Sequence, residues 1–277
     1  MLLKDKIFSF LIISKLLSIC FVSEAYSNDN FNVWLTSYKK YALNKGVSQE
    51  TIDLAFKNVK FLDQVIKYDR KQPEFYEDTL TYVNKRANTF RIKTAKNLFK
   101  KNKILFNEIE EKFSVDKEIL LALWGIETNF GKHVGKMDII SSLATLSFDK
   151  RRSEFFSSEL LTLLKLIDDK LIDPSTLYGS WAGAYGNFQF MPSSIKQYAI
   201  DYDNNKKIEL KSSLEDALAS AANYINSIGW KKGTPCFFRV KLTNKVKDKY
   251  FNKSARSISA RMKIKKWKKK GVINFDG

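Results

Sequence analysis

Residues 117 to 131 read KEILLALWGIETNFG, and they decide the fold because they predict a buried helix that ends beside an acid. Every residue from Ile119 to Ile126 is apolar or glycine, so this helix would be buried on nearly all sides. Glu127 follows near its C-terminal end, where low-dielectric surroundings and the helix dipole both raise the pKa of a carboxyl group. A carboxyl group that keeps its proton near neutral pH can act as a general acid. The alternative is an acid that reaches solvent or an arginine.

A second informative segment, residues 179 to 194, reads GSWAGAYGNFQFMPSS. Its glycines lack the spacing of a phosphate-binding loop, and no predicted strand precedes them. Aromatic rings alternate with short polar side chains, a mixture that suits a sugar-binding cleft because sugar rings have apolar faces and polar rims. The rings are Trp181, Tyr185, Phe188 and Phe190, and the polar residues are Ser180, Asn187 and Gln189. The alternative is a packing corner whose aromatic residues belong to the core.

Helical spacing of apolar residues recurs on both sides of these segments and predicts a mainly α protein with little β structure. The best strand-like run is Phe237 to Leu242. The predicted helices are Tyr38–Val59, Glu74–Leu98, Lys101–Phe113, Lys117–Glu127, Ser153–Asp168, Ser193–Tyr198 and Ser213–Ile228. With 277 residues, 44% of them hydrophobic, the chain is long enough to bury one large core or two small ones.

Residue counts argue against two classes of chemistry. Cys20 and Cys236 are the only cysteines, and His133 is the only histidine. A zinc site of cysteines and histidines needs more of these residues than the chain offers, and a Ser-His-Asp triad would have His133 as its only candidate base.

The N-terminus has the pattern of a secretory signal. Lys4 precedes a mostly apolar run from Ile7 to Val22, and small residues precede an expected cleavage after Ala25. The alternative is a membrane anchor, but Lys15 divides the run into pieces too short to span a bilayer. We therefore expect residues 1–25 to be a signal peptide and the protein to be periplasmic. The alternative is lipidation at Cys20, which would anchor the protein in the membrane.

The charge is unevenly distributed. The chain has 48 lysines and arginines against 30 acids, a formal charge of +18, and twelve of these basic residues follow Asn244. Such an excess indicates a polyanionic partner. We expect a boundary near Pro235 and a basic tail over residues 236–277. A nucleic-acid binder, with a base stacked on Trp267, is an alternative that the predicted export argues against.

Residues 201 to 210 read DYDNNKKIEL and resemble a calcium-binding EF-hand loop. Two positions depart from that loop, because Lys206 replaces the glycine and Ser212 replaces the last glutamate. Asp216 could supply the missing carboxylate. The candidate ligands for calcium or sodium are Asp201, Asp203, Asn205 and Asp216.

Four ordered motifs carry a family resemblance: residues 124–131, the LATLSF of 143–148, the RRSEFF of 151–156, and residues 179–194. Together they resemble the lytic murein transglycosylases of the membrane-bound lytic transglycosylase B type. The similarity runs from about Phe31 to about Gly233. It implies a lysozyme-like helical catalytic core at about 115–233, a helical N-terminal region, and cleavage of the peptidoglycan glycan strand without water.

The resemblance also implies roles for individual residues. Glu127 matches the catalytic acid, Ser180 and Gln189 match residues that hold the substrate or the acid, and Arg151 and Arg152 match a pair that meets acidic peptide stems. The aromatic positions expected to contact the substrate are Tyr82, Tyr185, Phe190 and Tyr224. Each has a structural alternative, because arginines can form a solvated helix face and tyrosines can simply pack.

The reaction that the resemblance implies needs one carboxyl group and no cofactor. The acid would protonate the glycosidic oxygen between N-acetylmuramic acid and N-acetylglucosamine, and the C6 hydroxyl of the muramic acid would then close a 1,6-anhydro ring. The expected catalytic region is 26–235, and the tail is short relative to the family. The expected partners are peptidoglycan strands, with other cell-wall enzymes as further candidates, no nucleic acid, and the membrane only through a lipid on Cys20. The alternative is a wall-binding protein of the same fold that lacks turnover.

Overall fold

The structure is a computed structural model that describes residues 29–71, 77–251 and 260–273. The predicted signal peptide, with Cys20 and the cleavage position after Ala25, lies outside the described residues. Within them, no helix combines the length and the apolar character needed to cross a membrane.

The described residues are mainly helical. The first helix, α1, covers residues 29–44. The others are α2 (Gln49–Ala55), α3 (Asp63–Arg70), α4 (Thr79–Arg86), α5 (Thr89–Lys101), α6 (Lys103–Phe113), α7 (Lys117–Thr128), α8 (Ile139–Phe148), α9 (Ser153–Asp168), α10 (Pro192–Tyr198), α11 (Leu214–Ser227) and α12 (Ile264–Lys269). The strands are two residues long and pair antiparallel, β1 (Met137–Asp138) with β2 (Tyr178–Gly179), and β3 (Lys241–Leu242) with β4 (Val272–Ile273). The prediction of a mainly α protein is confirmed.

The chain divides into two compact units. The first contains residues up to 68 together with 135–185 and 191–196. The second contains residues 69–134, 186–190 and 197–277. The catalytic-acid candidate Glu127 and the loop residue Gln189 therefore belong to the same unit although 61 positions separate them in the numbering.

The first unit is built around α8 and α9, which pack against each other. All residues of α8 from Ile139 to Ser147 are buried. An aromatic cluster covers this pair, with the ring centroids of Phe31 and Phe148 5.6 Å apart and nearly perpendicular. Edge-to-face rings add to the stability that their buried area provides.

A buried acid of the first unit fixes the start of α10. Glu159, only 4% exposed, accepts hydrogen bonds from the backbone N–H of Ser193 at 2.8 Å and from its hydroxyl at 2.6 Å. The first N–H groups of a helix have no partner within the helix, so a carboxylate there satisfies one of them and meets the positive end of the dipole. The chain is thereby held just after residues 179–191, which we call the aromatic loop.

In the second unit α6 packs against α11 and α7. The core residues Phe106, Ile109, Leu120 and Leu218 are fully buried. Asp116, which precedes α7, accepts a hydrogen bond from the indole N–H of Trp230 at 2.8 Å. The start of α7 is therefore tied to the segment that follows α11.

The predicted helices over 117–127 and 153–168 are confirmed. The continuous helices predicted over 38–59 and 74–98 are wrong, because turns interrupt both. Ser48 and Asn88 act as N-caps at these breaks, each accepting a backbone N–H three residues ahead. The strand predicted over 237–242 is also shorter than expected and comprises only Lys241–Leu242.

Candidate active site

The C-terminal end of α7 turns sharply. Asn129, Phe130 and Gly131 all have positive φ, at 50°, 60° and 80°. A side chain at Gly131 would also bring a Cβ to 2.6 Å from the Oδ1 of Asn187, so glycine is required by both conformation and space. Glu127 therefore stands one residue before the last residue of the helix, in a fixed turn.

Thr128 and Asn187 join this turn to the aromatic loop. The hydroxyl of Thr128 donates to the backbone carbonyl of Asn187 at 2.8 Å and accepts from the N–H of Gly131 at 3.0 Å. The amide oxygen of Asn187 accepts from the indole of Trp124 at 2.9 Å. Both residues are buried, so these bonds are shielded from competition with water.

The other end of the Asn187 amide binds a third segment. Its Nδ2 donates to the carbonyl oxygens of Leu210 and Lys211 at 3.0 and 3.1 Å. The expectation that Asn187 offers a polar group to a sugar therefore differs from the structure, in which its side chain is only 6% exposed and its hydrogen-bonding groups are used inside the protein. Asn187 holds together α7, the aromatic loop and the end of the segment 201–211, which we call the acidic loop.

A cavity of about 230 Å³ lies beside this junction. Its lining includes four predicted site residues, Glu127, Gln189, Phe190 and Tyr224. The remaining lining residues are Leu123, Phe188, Ala221 and Ile225. The fold thus brings the predicted acid, one predicted polar residue and two predicted aromatic residues of the second unit into one site.

Aromatic contacts fix the wall of this cavity. The ring of Tyr224 packs against Phe190, with centroids 5.9 Å apart, and against Tyr198, at 5.1 Å, both nearly perpendicular. These edge-to-face contacts restrict the orientation of the Tyr224 ring. Its position supports the predicted role in substrate contact.

Glu127 is the one acid among the described residues that line the cavity. Desolvation raises the pKa of its carboxyl group, although the side chain is exposed to solvent on one side. The expectation that α7 is buried on nearly all sides is wrong, because Ala122 and Ile126 are exposed. The pKa of Glu127 nevertheless shifts in the expected direction, and its side chain is accessible from the cavity.

Gln189 can offer only a hydrogen-bond acceptor to the cavity. Its Nε2 donates to the carbonyl oxygens of Gly186, at 2.9 Å, and Val134, at 3.3 Å, so both amide hydrogens are used. The opposite orientation would place Oε1 against two carbonyl oxygens, which excludes it. The remaining Oε1 can accept from the protonated Glu127 or from a hydroxyl or N–H group of a ligand.

A larger cavity of about 410 Å³ lies between α5 and α7. Its lining is mostly apolar, with Arg91 and Lys96 among its basic residues, and Glu118 is the only acid among the described residues there. Size alone does not identify the reactive site, because acid catalysis needs a proton donor whose pKa is raised, and Glu127 lines the smaller cavity.

Four predicted site residues belong to the first unit: Arg151, Arg152, Ser180 and Tyr185. The hydroxyl of Ser180 accepts from the N–H of Ala184 at 2.9 Å and closes the glycine-rich turn. Tyr185 is 3% exposed, with its hydroxyl 3.0 Å from that of Thr176, which places it in the core of this unit.

The two predicted arginines differ in exposure. Arg151 is exposed, whereas Arg152 is partly buried with its guanidinium over the ring of Phe156 at 4.8 Å. Tyr82 lies on α4 of the second unit, where the guanidinium of Arg86 stacks on its ring at 3.7 Å. Of this pair of arginines, Arg151 is the one with a largely accessible side chain.

The predicted metal loop brings three carboxylates together. Ligand oxygens of Asp201, Asp203 and Asp216 lie within 4.8 Å of one another. Asp216 is fully buried and accepts from the N–H groups of Tyr202, at 2.8 Å, and Glu209, at 2.9 Å. Desolvation raises the pKa of Asp203, and the neighbouring Asp201 and Asp216 raise it further.

The fourth predicted ligand has other contacts. The amide oxygen of Asn205 accepts the N–H of Lys207 at 2.8 Å, and its Nδ2 donates to Asp203 and Glu209. Lys206 adopts a φ of 69° at the position where an EF-hand has glycine. The loop therefore keeps the turn of an EF-hand without its glycine.

Asn187→Ala is expected to lower the free energy of unfolding by about 2 to 4 kcal/mol, because it leaves a buried indole N–H and two carbonyl oxygens without this partner. Chemical denaturation measures the change. Asn97→Ala, at an exposed position of α5, is the matched control and should change stability little. Equal losses of stability in the two variants would contradict the role of Asn187 in holding the three segments together.

Glu127→Gln is expected to stabilise the fold at neutral pH. Because the pKa of Glu127 is raised in the folded protein, the stability that its protonated form contributes is present below the unfolded pKa and lost as the pH rises through the folded pKa. Thermal unfolding at several pH values should show the variant gaining Tm over wild type as the pH rises. Glu118→Gln, on the same helix, should show no such gain, and parallel profiles for Glu127→Gln and wild type would refute the expectation.

Comparison with known proteins finds a matching family model and a similar protein of Escherichia coli. The family model described as "Transglycosylase SLT domain" matches residues 30–277. Membrane-bound lytic murein transglycosylase B of Escherichia coli K12 is 46% identical over 128 residues, which is 46% of this chain and 35% of that protein.

Solved structures agree with this match. SltB3 of Pseudomonas aeruginosa, in complex with NAG-NAM-pentapeptide, has a TM-score of 0.80 at 34% identity over 87% of this chain and 63% of that one. Escherichia coli Slt35 in complex with bulgecin A has a TM-score of 0.74 at 30% identity over 89% and 76%. The chain thus spans about a third of the E. coli transglycosylase B and under two thirds of SltB3. Since the family model covers most of its residues, the chain belongs to the transglycosylase SLT domain family.

Proposed function

We propose that this protein is a lytic transglycosylase. It cleaves the β-1,4 bond between N-acetylmuramic acid and N-acetylglucosamine of peptidoglycan without water and leaves 1,6-anhydro-N-acetylmuramic acid ends. The observation that carries the proposal is Glu127, whose pKa is raised by desolvation and which is the one acid among the described residues that line its cavity. The complex of SltB3 with NAG-anhNAM-pentapeptide, at 34% identity, supports the same product class.

In the first step Glu127 gives its proton to the glycosidic oxygen. The bond between that oxygen and C1 of the muramic acid breaks, the N-acetylglucosamine leaves with a free hydroxyl, and positive charge develops at C1. Gln189 presents a carbonyl oxygen to the same cavity and can hold the protonated acid or a donor group of the sugar. The half-buried Tyr224 supplies an apolar face for a sugar ring, and Phe190, only 6% exposed, packs against the Tyr224 ring.

In the second step the ionised Glu127 accepts the proton of the C6 hydroxyl while that oxygen bonds to C1. The ring closes, the carboxyl group is protonated again, and no second acid is needed. The attacking hydroxyl belongs to the same sugar, so its effective concentration at C1 exceeds that of water in a cavity that restricts water. An enzyme that uses water or a covalent intermediate would need a second carboxylate in the site.

A periplasmic location follows from the same proposal. Peptidoglycan lies outside the cytoplasmic membrane, and the first 25 residues have the pattern of a secretory signal. The substrate and the sequence pattern therefore favour the same compartment.

A cation in the acidic loop is a separate proposal. Three converging carboxylates suit a hard cation such as calcium, and Slt35 of Escherichia coli, 29% identical, has been solved in complex with calcium. The cation would hold the loop in this conformation and would take no part in the proton transfers at Glu127.

The chemistry is tested by the product. Digestion of purified sacculi is expected to release fragments that end in 1,6-anhydro-N-acetylmuramic acid and are one water lighter than hydrolysed fragments, as mass spectrometry can measure. Glu127→Gln should abolish release while keeping the fold, because glutamine has the same volume and no transferable proton. Mainly reducing, hydrated ends would identify a hydrolase. Intact folding and wall binding without release by the wild type would identify a binding protein.

Calcium is expected to raise the Tm of the wild type. Asp203→Asn removes one charge from the cluster, so it should relieve repulsion in calcium-free protein and reduce the calcium-dependent gain in Tm. Thermal unfolding and isothermal titration with calcium chloride measure both effects. Asp53→Asn, at an exposed position of the first unit, is the control, and an equal calcium response in all three proteins would exclude the loop as the site.

A further inference from the structure

The C-terminal part of the chain is strongly basic and folded. We call its described residues, 237–251 and 260–273, the C-terminal module. They include twelve lysines and arginines and a single acid, Asp248. The sequence alone indicated a basic tail, but a tail without structure and a folded module present their charges differently, because only a folded module fixes the positions of its cations.

Several contacts hold the module together. Lys241 pairs with Ile273 and Leu242 with Val272 in the antiparallel β3–β4 pair. The N–H of Thr243 donates to the carbonyl of Gly271 at 2.9 Å, next to this pair.

Aromatic residues add an internal contact. The rings of Tyr250 and Trp267 meet edge to face, with centroids 5.4 Å apart. The partly buried Trp267 therefore packs against Tyr250 within the module.

The lysines of the module surround this packed centre. Lys249 and Lys270 lie over the ring of Tyr250 at 5.4 and 5.2 Å, which fixes them by cation–π attraction. Lys265, Lys266 and Lys269 of α12 are exposed. No acid of α12 or of its described neighbours in 260–273 offsets them. The result is a cluster of cations whose backbone positions are set by α12 and by the ring of Tyr250.

We propose that the C-terminal module binds the carboxylates of peptidoglycan stem peptides and holds the enzyme on the wall independently of the cavity at Glu127. The inference rests on the proposed function for the identity of the polymer. Stem peptides repeat along each glycan strand, so the wall presents a regular series of carboxylates to a fixed series of cations. Many weak ion pairs add up on such a polymer, and a bound module keeps the cavity at a high local concentration of glycan.

The test separates retention from catalysis. Lys265, Lys266 and Lys269 are changed together to glutamine in the Glu127→Gln background, so that bound sacculi are not digested. The matched control changes three exposed lysines of the first unit, Lys40, Lys57 and Lys60, to glutamine and removes the same charge. Binding to purified sacculi is measured by co-sedimentation across a salt series. A second set of sacculi has its carboxylates chemically amidated, and vesicles of phosphatidylglycerol provide an anionic surface without peptides.

We expect the α12 variant to bind native sacculi about tenfold more weakly than its parent at low salt, with the difference shrinking as salt rises. The control variant should retain parental binding. Amidation of the sacculi should weaken the parent to the level of the α12 variant. With its glutamate restored, the α12 variant should cleave short soluble glycan fragments at the wild-type rate, which keeps this test distinct from that of the proposed chemistry.

Three results would overturn the inference. Equal weakening in both triple variants would indicate net charge alone. Binding that is insensitive to amidation would exclude carboxylates as the ligand. Loss of vesicle binding with unchanged binding to sacculi would assign the module to a membrane surface.

Discussion

The buried hydrogen bonds made by Thr128 and Asn187, one of which joins the two residues, are the constraint on which the site depends. Glu127 precedes Thr128 in the chain, and Gln189 follows Asn187 by two residues, so the two bonded residues fix the segments that carry the acid and the acceptor. Because the amide of Asn187 also binds the carbonyls of Leu210 and Lys211, the end of the acidic loop belongs to the same junction. Three segments distant in sequence are thus held by a few short polar bonds inside an apolar core, where each is costly to break.

A single carboxyl group can serve both steps only if its pKa is raised moderately. It must hold a proton before the bond breaks and must exist as an anion long enough to take a proton back. Full burial would make ionisation too costly, whereas full exposure would leave the group ionised from the start. Glu127 lies between these limits, with one side open to solvent and enough protein around its carboxyl group for desolvation to raise the pKa. The sharp turn at residues 129–131 ends the helix at the position that gives this partial burial.

The sequence predicted the helices that have an apolar face and a distinct end, such as α7 and α9. It missed α8, whose residues are apolar or small on every side, because a fully buried helix has no polar face to reveal its period. It also assigned Asn187 to the sugar. The sequence around an asparagine between aromatic residues does not show whether its amide binds a ligand or a buried indole. Only the fold shows that the amide oxygen of Asn187 accepts from the indole of Trp124. Glu127, by contrast, was singled out because it follows a long apolar run, and the fold places it in the lining of a cavity.

The distribution of positive charge follows from the requirement on Glu127. A lysine or arginine close to its carboxyl group would favour the anion and lower the pKa, which would remove the proton that the first step needs. Desolvation is the cause of the raised pKa, and the described residues that line the cavity include no lysine or arginine. The described residues of the C-terminal module carry twelve basic side chains and one acid, and none of them lines the cavity. Attraction to an acidic polymer and acid catalysis make opposite demands on the local charge, and under the proposed function the chain carries the cations and the acid on different surfaces.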